Sequence, residues 1–185
     1  VPGVAGMRTV LMPRWDPADA LGLIEAEAVT YMVGPPTFFM ALMDDPAFSP
    51  ERTGSLRMLS CGGADVTPAF VERARNELGA VVKRSYGSTE APTVATSRFD
   101  DPPERMACTD GRSFDETQIR IDGHGEVWVR GPEVARGYLE PAQGEGVFVD
   151  GWFRTGDLGR LDGEWLTITG RSDDRIIRAG ENISA

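Results

Sequence analysis

The chain predicts an α/β fold: part of a mainly parallel sheet with its helices, followed by a small β-sheet or distorted-barrel lobe. Three observations predict it. Over residues 9–86 short apolar runs alternate with stretches of helical periodicity, the pattern of a parallel sheet with crossover helices. Beyond residue 117 the apolar period is two, tight turns intervene, and no convincing long helix follows. Between these regions Asp100-Asp101-Pro102-Pro103-Glu104 is polar and proline-rich, and is expected to link two lobes. Residues 1–98 are thus expected to form the α/β part and residues 99–170 the β-rich lobe of one domain.

The elements follow in order. Thr9-Val10-Leu11-Met12 reads as a short buried strand. Asp16 followed by Pro17 is a helix start, a capping carboxylate before a proline at the first helical position. Ala20, Leu21, Ile24 and Ala28 recur at helical spacing, so this helix should lie on the sheet. Val29 to Val33 is the next strand, and Gly34-Pro35-Pro36 turns the chain into a helix carrying Phe38, Phe39 and Leu42. Asp44 to Thr53 is a polar connection, and Leu56 to Ser60 is a strand ended by Gly62-Gly63. Thr67 caps a helix with Pro68 next, Val71, Ala74 and Leu78 on its inner face, and Gly79 at its stop. Ala80 to Arg84 is the strand after it. In the second region Thr117 to Ile121 and Gly125 to Arg130 read as one hairpin, and Gly159 to Ile168 as another turning at Asp162-Gly163. Trp128, Trp152 and Trp165 are expected in the core of that lobe.

Composition excludes several functions. A hydrophobic fraction of 41% and a charged fraction of 26% are ordinary for a globular protein. A net charge of −10 argues against a nucleic-acid polymer as partner. The most apolar region, Ala28 to Met43, is broken by Gly34-Pro35-Pro36, too early for a membrane-spanning helix, and no basic-then-apolar leader opens the chain. Cys61 and Cys108 are too few for a disulfide framework and lack metal-ligand spacing, so reduced thiols and a cytoplasmic location are expected. His124, the single histidine, sits in the turn Asp122-Gly123-His124-Gly125, which disfavours a Ser-His-Asp hydrolase. Lys83 is the only lysine among nineteen Lys and Arg residues.

Ser85-Tyr86-Gly87-Ser88-Thr89-Glu90 carries the densest chemistry. It ends a strand, where ligands of parallel sheets bind. Tyr86 offers a face for a base, Gly87 allows close backbone approach, Ser88 and Thr89 offer hydroxyls, and Glu90 offers a hard oxygen ligand for Mg²⁺. A plain surface turn is the alternative reading of these six residues alone. Their company is more specific. Leu59-Ser60-Cys61-Gly62-Gly63-Ala64-Asp65 precedes them. Gly125-Glu126-Val127-Trp128-Val129-Arg130-Gly131, running on to Val134-Ala135-Arg136-Gly137-Tyr138-Leu139, follows. Gly151-Trp152-Phe153-Arg154-Thr155-Gly156-Asp157 and Gly170-Arg171-Ser172-Asp173-Asp174-Arg175 complete the set. In this order and spacing the chain resembles the adenylate-forming superfamily, which includes acyl-CoA synthetases, luciferases and nonribosomal adenylation domains. The resemblance covers nearly the whole chain but only part of that family's large domain.

The resemblance implies roles. The backbone of Gly62-Gly63-Ala64 would lie along the adenine and the acyl chain. Tyr86 would stack on the adenine, within the nucleotide-binding run that also holds Gly87 and Ser88. Thr89 would contact the α-phosphate and Glu90 would ligate the Mg²⁺ that bridges the ATP phosphates; these two are the expected catalytic pair. Asp157 would accept both ribose hydroxyls, Arg171 would donate to the ribose, and Ile168 would pack on the adenine, although Ile168 is equally readable as plain core. Val134 to Leu139 would support the site rather than line it. Asp173 would be the hinge, and residues 171–185 the hinge and the start of a C-terminal domain. The family's phosphate loop and its catalytic lysine match nothing here, and Lys83 fits neither. The expectation is therefore a piece of a longer protein, inactive by itself, with self-association through uncovered apolar surface.

The activity implied is that of an AMP-forming acid–thiol ligase of fatty acid metabolism, with ATP, coenzyme A and a carboxylic acid as small-molecule partners. Alternatives are an adenylating enzyme that loads a carrier protein and, for the 185 residues alone, a nucleotide-binding half site without catalysis. Val33-Gly34-Pro35, Phe38 and Gly62-Gly63 would border the acyl group; they are apolar or small, with no cation for a second carboxylate. Ala179 to Ile183 resembles the version found in ligases of medium-chain and of alicyclic or aromatic acids.

Overall fold

The computed structural model describes residues 3–114 and 116–172, together with the backbone of 176–178 and 181–183. Helix α1 (Pro17–Glu27) starts where Asp16 accepts the Asp19 N–H at 3.0 Å. It buries Ala20, Leu21 and Ile24, whereas Ala28 is not on its inner face: it is the left-handed residue that ends the helix, at φ 48°. Strand β1 (Tyr31–Gly34) leads into α2 (Pro36–Asp44), and β2 (Met58–Cys61) leads into α3 (Pro68–Leu78), capped by Thr67 on the Phe70 N–H at 3.2 Å. Strand β3 (Val81–Tyr86) completes a parallel trio in the order β1-β2-β3. Thr9 to Met12 does not form the expected strand. It has no strand partner; Leu11 is 85% exposed, and Met12 alone of its apolar residues packs against the helix–sheet core.

All three helices cover one face of this sheet. Leu21, Ile24, Phe39, Leu42, Phe70, Ala74 and Leu78 pack on Leu59, Cys61 and Val82 in one buried cluster. Right-handed crossovers taken repeatedly in one direction give this result. Cys61 lies fully inside the cluster, and burial pushes its thiol up to about 12. The opposite face carries Tyr31, Val33, Met58, Ser60, Val81, Lys83 and Ser85 in register, with Val33 70% exposed.

From β3 the hydrogen-bonded path continues into antiparallel strands. β4 (Ala95–Thr96) pairs with β3, and the path runs on through β5 (Gly111–Ser113). The hairpin β6 (Gln118–Ile121) and β7 (Glu126–Arg130) forms as expected, its turn held by Asp122, which accepts the His124 and Glu126 N–H groups. Strand β8 (Phe148–Val149) flanks β9 (Trp152–Asp162), and β9 pairs with β10 (Trp165–Arg171) around a turn at Gly163-Glu164. Strands β11 (Ile176–Arg178) and β12 (Glu181–Ile183) pair with each other. Asp173, the expected hinge, lies outside the described residues, as do Ala179 and Gly180.

Two expectations need correction here. The supposed linker is structured: α4 (Pro103–Cys108) begins within it, and the buried Asp101 carboxylate binds Arg112 and the Arg98 N–H. The prolines that suggested a loop are instead the residues that start the helix. The three tryptophans are half-buried, not core. Arg120 lies between Trp128 and Trp152, 4.7 and 4.5 Å from their rings, and Arg112 lies 4.9 Å from Trp165. Each indole has at least one guanidinium over its ring, which favours the water boundary over the interior. The second core is Val94, Ala95, Val127, Val129, Phe153 and Leu166, with Tyr86, Val134 and Ile168 packed against it.

Candidate functional site

An open cleft of about 350 Å³ sits at the carboxyl ends of β1, β2 and β3, lined by Gly34, Pro35, Gly62, Gly63, Tyr86 and Gly87 among others. The topology produces it, because three parallel strands end on one edge and their following loops splay apart there. Two glycines are needed for the chain's own packing. A Cβ on Gly62 would lie 2.6 Å from the Ser85 carbonyl oxygen of the neighbouring strand. A Cβ on Gly87 would lie 2.5 and 2.7 Å from the Pro92 and Ala91 carbonyl oxygens. Ala64 is half-buried but does not line the cleft.

Tyr86 is the last residue of β3, and its hydroxyl donates to Asp157 Oδ2 at 2.7 Å, across 71 residues of sequence. Burial first, and then the Asp157 charge, push the Tyr86 phenol up, so it is a donor at neutral pH. Arg171 stands opposite Asp157 in the β9–β10 ladder, its Nε 3.3 Å from Oδ1. The structure thus brings Tyr86, Asp157 and Arg171 into one group beside Gly62 and Gly63. Ile168 is half-buried against the β-lobe core, three residues before Arg171 on β10.

The loop after Tyr86 turns back on itself. Ser88 and Ala91 exchange backbone hydrogen bonds at 2.9 and 3.2 Å, and the Val94 N–H returns to the Tyr86 carbonyl at 2.9 Å. Thr89 is exposed at the tip, with Glu90 half-buried beside it. Partial burial raises the Glu90 carboxyl. The hydrogen bond from Tyr138, its own backbone and the nearby Arg171 charge outweigh that, leaving it below the ordinary carboxylate range. Among the described residues no three of His, Cys, Asp and Glu group as a metal cage. A single ionised carboxylate fits Mg²⁺ only as an ion carried in by a nucleotide, because Mg²⁺ commonly takes one or two carboxylates and completes its shell with phosphates and water.

Two acids that order this site carry no local sequence signal of that role. Glu126, 3% exposed, binds Arg154 at 2.7 Å and accepts the Gly156 N–H at 3.1 Å, which sets the turn that presents Asp157. Asp110 holds the buried Arg84 at 2.9 Å through Oδ1 and the Ile168 N–H at 2.8 Å through Oδ2, joining β3 to β10. In β7 Glu126 shares its register with Trp128 and Arg130, away from the core-facing Val127 and Val129, so alternation does not mark it, and nothing near Asp110 marks that residue. Lys83 is half-buried, its pKa lowered by burial, with its ammonium 5.5 Å from the Phe99 ring.

The fold is that of adenylate-forming enzymes, and the chain belongs to the AMP-binding enzyme family, whose model matches residues 1–139. It is 36% identical, over 96% of its length, to the 3-[(3aS,4S,7aS)-7a-methyl-1,5-dioxo-octahydro-1H-inden-4-yl]propanoyl:CoA ligase of Rhodococcus jostii (strain RHA1), of which it covers 35%. It is 33% identical, over 98% of its length, to the 2,3-dihydroxybenzoate-AMP ligase of Bacillus subtilis (strain 168), of which it covers 36%. The amide bond synthetase McbA of Marinactinospora thermotolerans superposes with a TM-score of 0.85 at 33% identity, over 95% of this chain and 38% of that one. The chain therefore spans about a third of the length of the relatives it matches. Among the described residues no helix is long and apolar enough to cross a membrane.

Proposed function

We propose that the protein carrying this chain activates a carboxylic acid with ATP and transfers the acyl group to coenzyme A. The acid's carboxylate attacks the α-phosphorus, pyrophosphate leaves, and the thiol sulfur of coenzyme A then displaces AMP from the acyl carbon. The observation that carries this reading is the grouping of Tyr86, Asp157 and Arg171 beside the Gly62-Gly63 edge of the cleft. Tyr86 offers a ring for the base, and Asp157 offers charged acceptors for a ribose diol. Thr89 would donate to the α-phosphate, and Glu90 would hold Mg²⁺. That ion, when bound, would neutralise the phosphate charge that builds in the transition state. The second reading, transfer to a carrier protein, uses the same first step, the acyl-AMP formation named for the 2,3-dihydroxybenzoate-AMP ligase relative. AMP formation by the full-length enzyme that depends on free coenzyme A supports the first reading. Turnover only with a phosphopantetheinylated protein overturns it.

For the acid, we propose a medium-length or ring-bearing monocarboxylate. Val33, Gly34, Pro35 and Gly63 line the cleft with apolar or small surface, and a buried unpaired charge there would cost several kcal/mol. The ring-bearing acyl group named for the Rhodococcus relative agrees with this choice. In a substrate panel, monocarboxylates of this kind should give the highest kcat/KM; best turnover of amino acids or dicarboxylates refutes it.

The 185 residues alone are expected to bind AMP and ATP weakly and about equally. Stacking and ribose contacts remain, but water screens the triphosphate, so a Kd of ~0.1–1 mM, about 4–5.5 kcal/mol, is expected. No acyl-AMP should form. Pyrophosphate exchange above background, abolished by Glu90→Gln, would show that the isolated chain is catalytically complete.

A further inference from the structure

We propose that Tyr138 is a positioning residue for Glu90, holding that carboxylate at the angle from which it meets Mg²⁺; this rests on the reading of Glu90 given above. The Tyr138 hydroxyl donates to Glu90 Oε1 at 2.7 Å, across 48 residues of sequence. The segment that delivers it is fastened to the same loop a second time, because the Ala135 N–H donates to the Glu90 backbone carbonyl at 2.7 Å. Val134, one residue earlier, packs against the β-lobe core. Main chain and side chain of Glu90 are thus both held by the single stretch Val134 to Tyr138.

The phenol is itself supported from the core. The Tyr138 ring meets Phe148 edge-on, with centroids 5.5 Å apart and planes at 72°. Phe148 stacks on Phe153 at 5.3 Å, and Phe153 is 3% exposed in β9. A column of three rings therefore runs from the buried sheet to the hydroxyl. Tyr138 is 37% exposed, so its ring is only partly in the core while its hydroxyl binds Glu90.

Chemistry favours a tyrosine in this place. Mg²⁺ requires near-ideal octahedral geometry, so a carboxylate free to rotate loses affinity when it is fixed. A donor to one oxygen sets the carboxylate plane in advance. An arginine or lysine would do so at the expense of the negative charge that the cation needs. A neutral phenol fixes the plane and leaves the charge in place, as hydrogen-bond partners of metal ligands do elsewhere.

The test uses the full-length enzyme and Tyr138→Phe, which keeps the ring on Phe148 and removes only the hydroxyl. Mn²⁺ binding is measured by electron paramagnetic resonance with a non-hydrolysable ATP analogue, beside Glu90→Gln and the parent. Tyr138→Phe should weaken Mn²⁺ about 10-fold, the low end for losing a ligand's hydrogen-bond partner. The Mg²⁺ concentration for half-maximal activity should rise by a similar factor, with the KM for the acid and the thermal unfolding midpoint unchanged. Parent-like Mn²⁺ affinity in Tyr138→Phe, with Glu90→Gln weakened, overturns the assignment of Tyr138 and leaves that of Glu90 standing. Parent-like affinity in both variants overturns the Glu90 reading as well. Weakened binding that comes only with a lowered unfolding midpoint also overturns the proposal, since a purely structural tyrosine would behave that way.

Discussion

Glu90→Gln in the full-length enzyme should slow acyl-AMP formation by about 10²-fold or more. The substitution preserves volume and removes one negative charge. In the structure that charge is favoured: the hydrogen bond from Tyr138 and the nearby Arg171 hold the Glu90 carboxyl below its ordinary range against the effect of burial. Glu90 is therefore ionised throughout the neutral range and offers a full charge to a cation. The amide has none, and the interaction lost is one that strengthens as charge builds on the leaving pyrophosphate. Pyrophosphate exchange reports this step without the thiol. The KM for the acid should change little if Glu90 acts, as proposed, on the phosphates. An exchange rate equal to that of the parent would remove Glu90 from the mechanism.

Asp110→Ala should destabilise the protein by about 3–5 kcal/mol, the usual cost of leaving one partner of a buried pair without its counter-ion. Arg84 and Asp110 have side chains only 7% and 12% exposed, and their contact is 2.9 Å. Arg84 also donates to the Ala107 carbonyl at 2.9 Å, so it cannot turn to water without leaving that oxygen too. The substitution in addition deprives the Ile168 N–H of its acceptor. Denaturant unfolding of the full-length enzyme, followed by tryptophan fluorescence, would register a lowered midpoint. The companion Arg84→Met, Asp110→Leu should recover much of the loss, because two apolar groups leave no charge stranded. A midpoint unchanged in Asp110→Ala would mean that water already reaches Arg84.

What could be read in advance was what is written locally. Asp16-Pro17 and Thr67-Pro68 carry their helix starts in adjacent residues, and both caps form. The hairpins were legible because an alternating run and a glycine-bearing turn lie next to each other. Thr9 to Met12 misled because an apolar run reads as a strand only if a neighbour pairs with it, and four residues do not reveal the neighbour. The tryptophans misled because exposure depends on which face of the sheet is turned to solvent and on where Arg112, Arg120 and Arg130 reach. In the site, Tyr86 and Asp157 were visible as motifs, but their hydrogen bond across 71 residues was not. Asp110, Glu126 and Tyr138 act through partners 26 to 58 residues distant, and no local periodicity encodes such pairs.

The one-sided placement of α1, α2 and α3 makes one wall of the cleft a colloidal hazard. Tyr31, Val33, Ser60 and Ser85 belong both to the sheet face opposite α1, α2 and α3, which no helix covers among the described residues, and to the lining of the cleft. The patch where a ligand would sit is thus the patch where two copies of the chain would adhere. The net charge of −10 opposes that adhesion by mutual repulsion, and added salt weakens the repulsion while leaving the apolar attraction intact. An occupant of the cleft covers Tyr31 and Val33, so saturation with ligand and freedom from clumping rise together. A low-salt buffer with nucleotide present is where this chain should remain dispersed at the highest concentration.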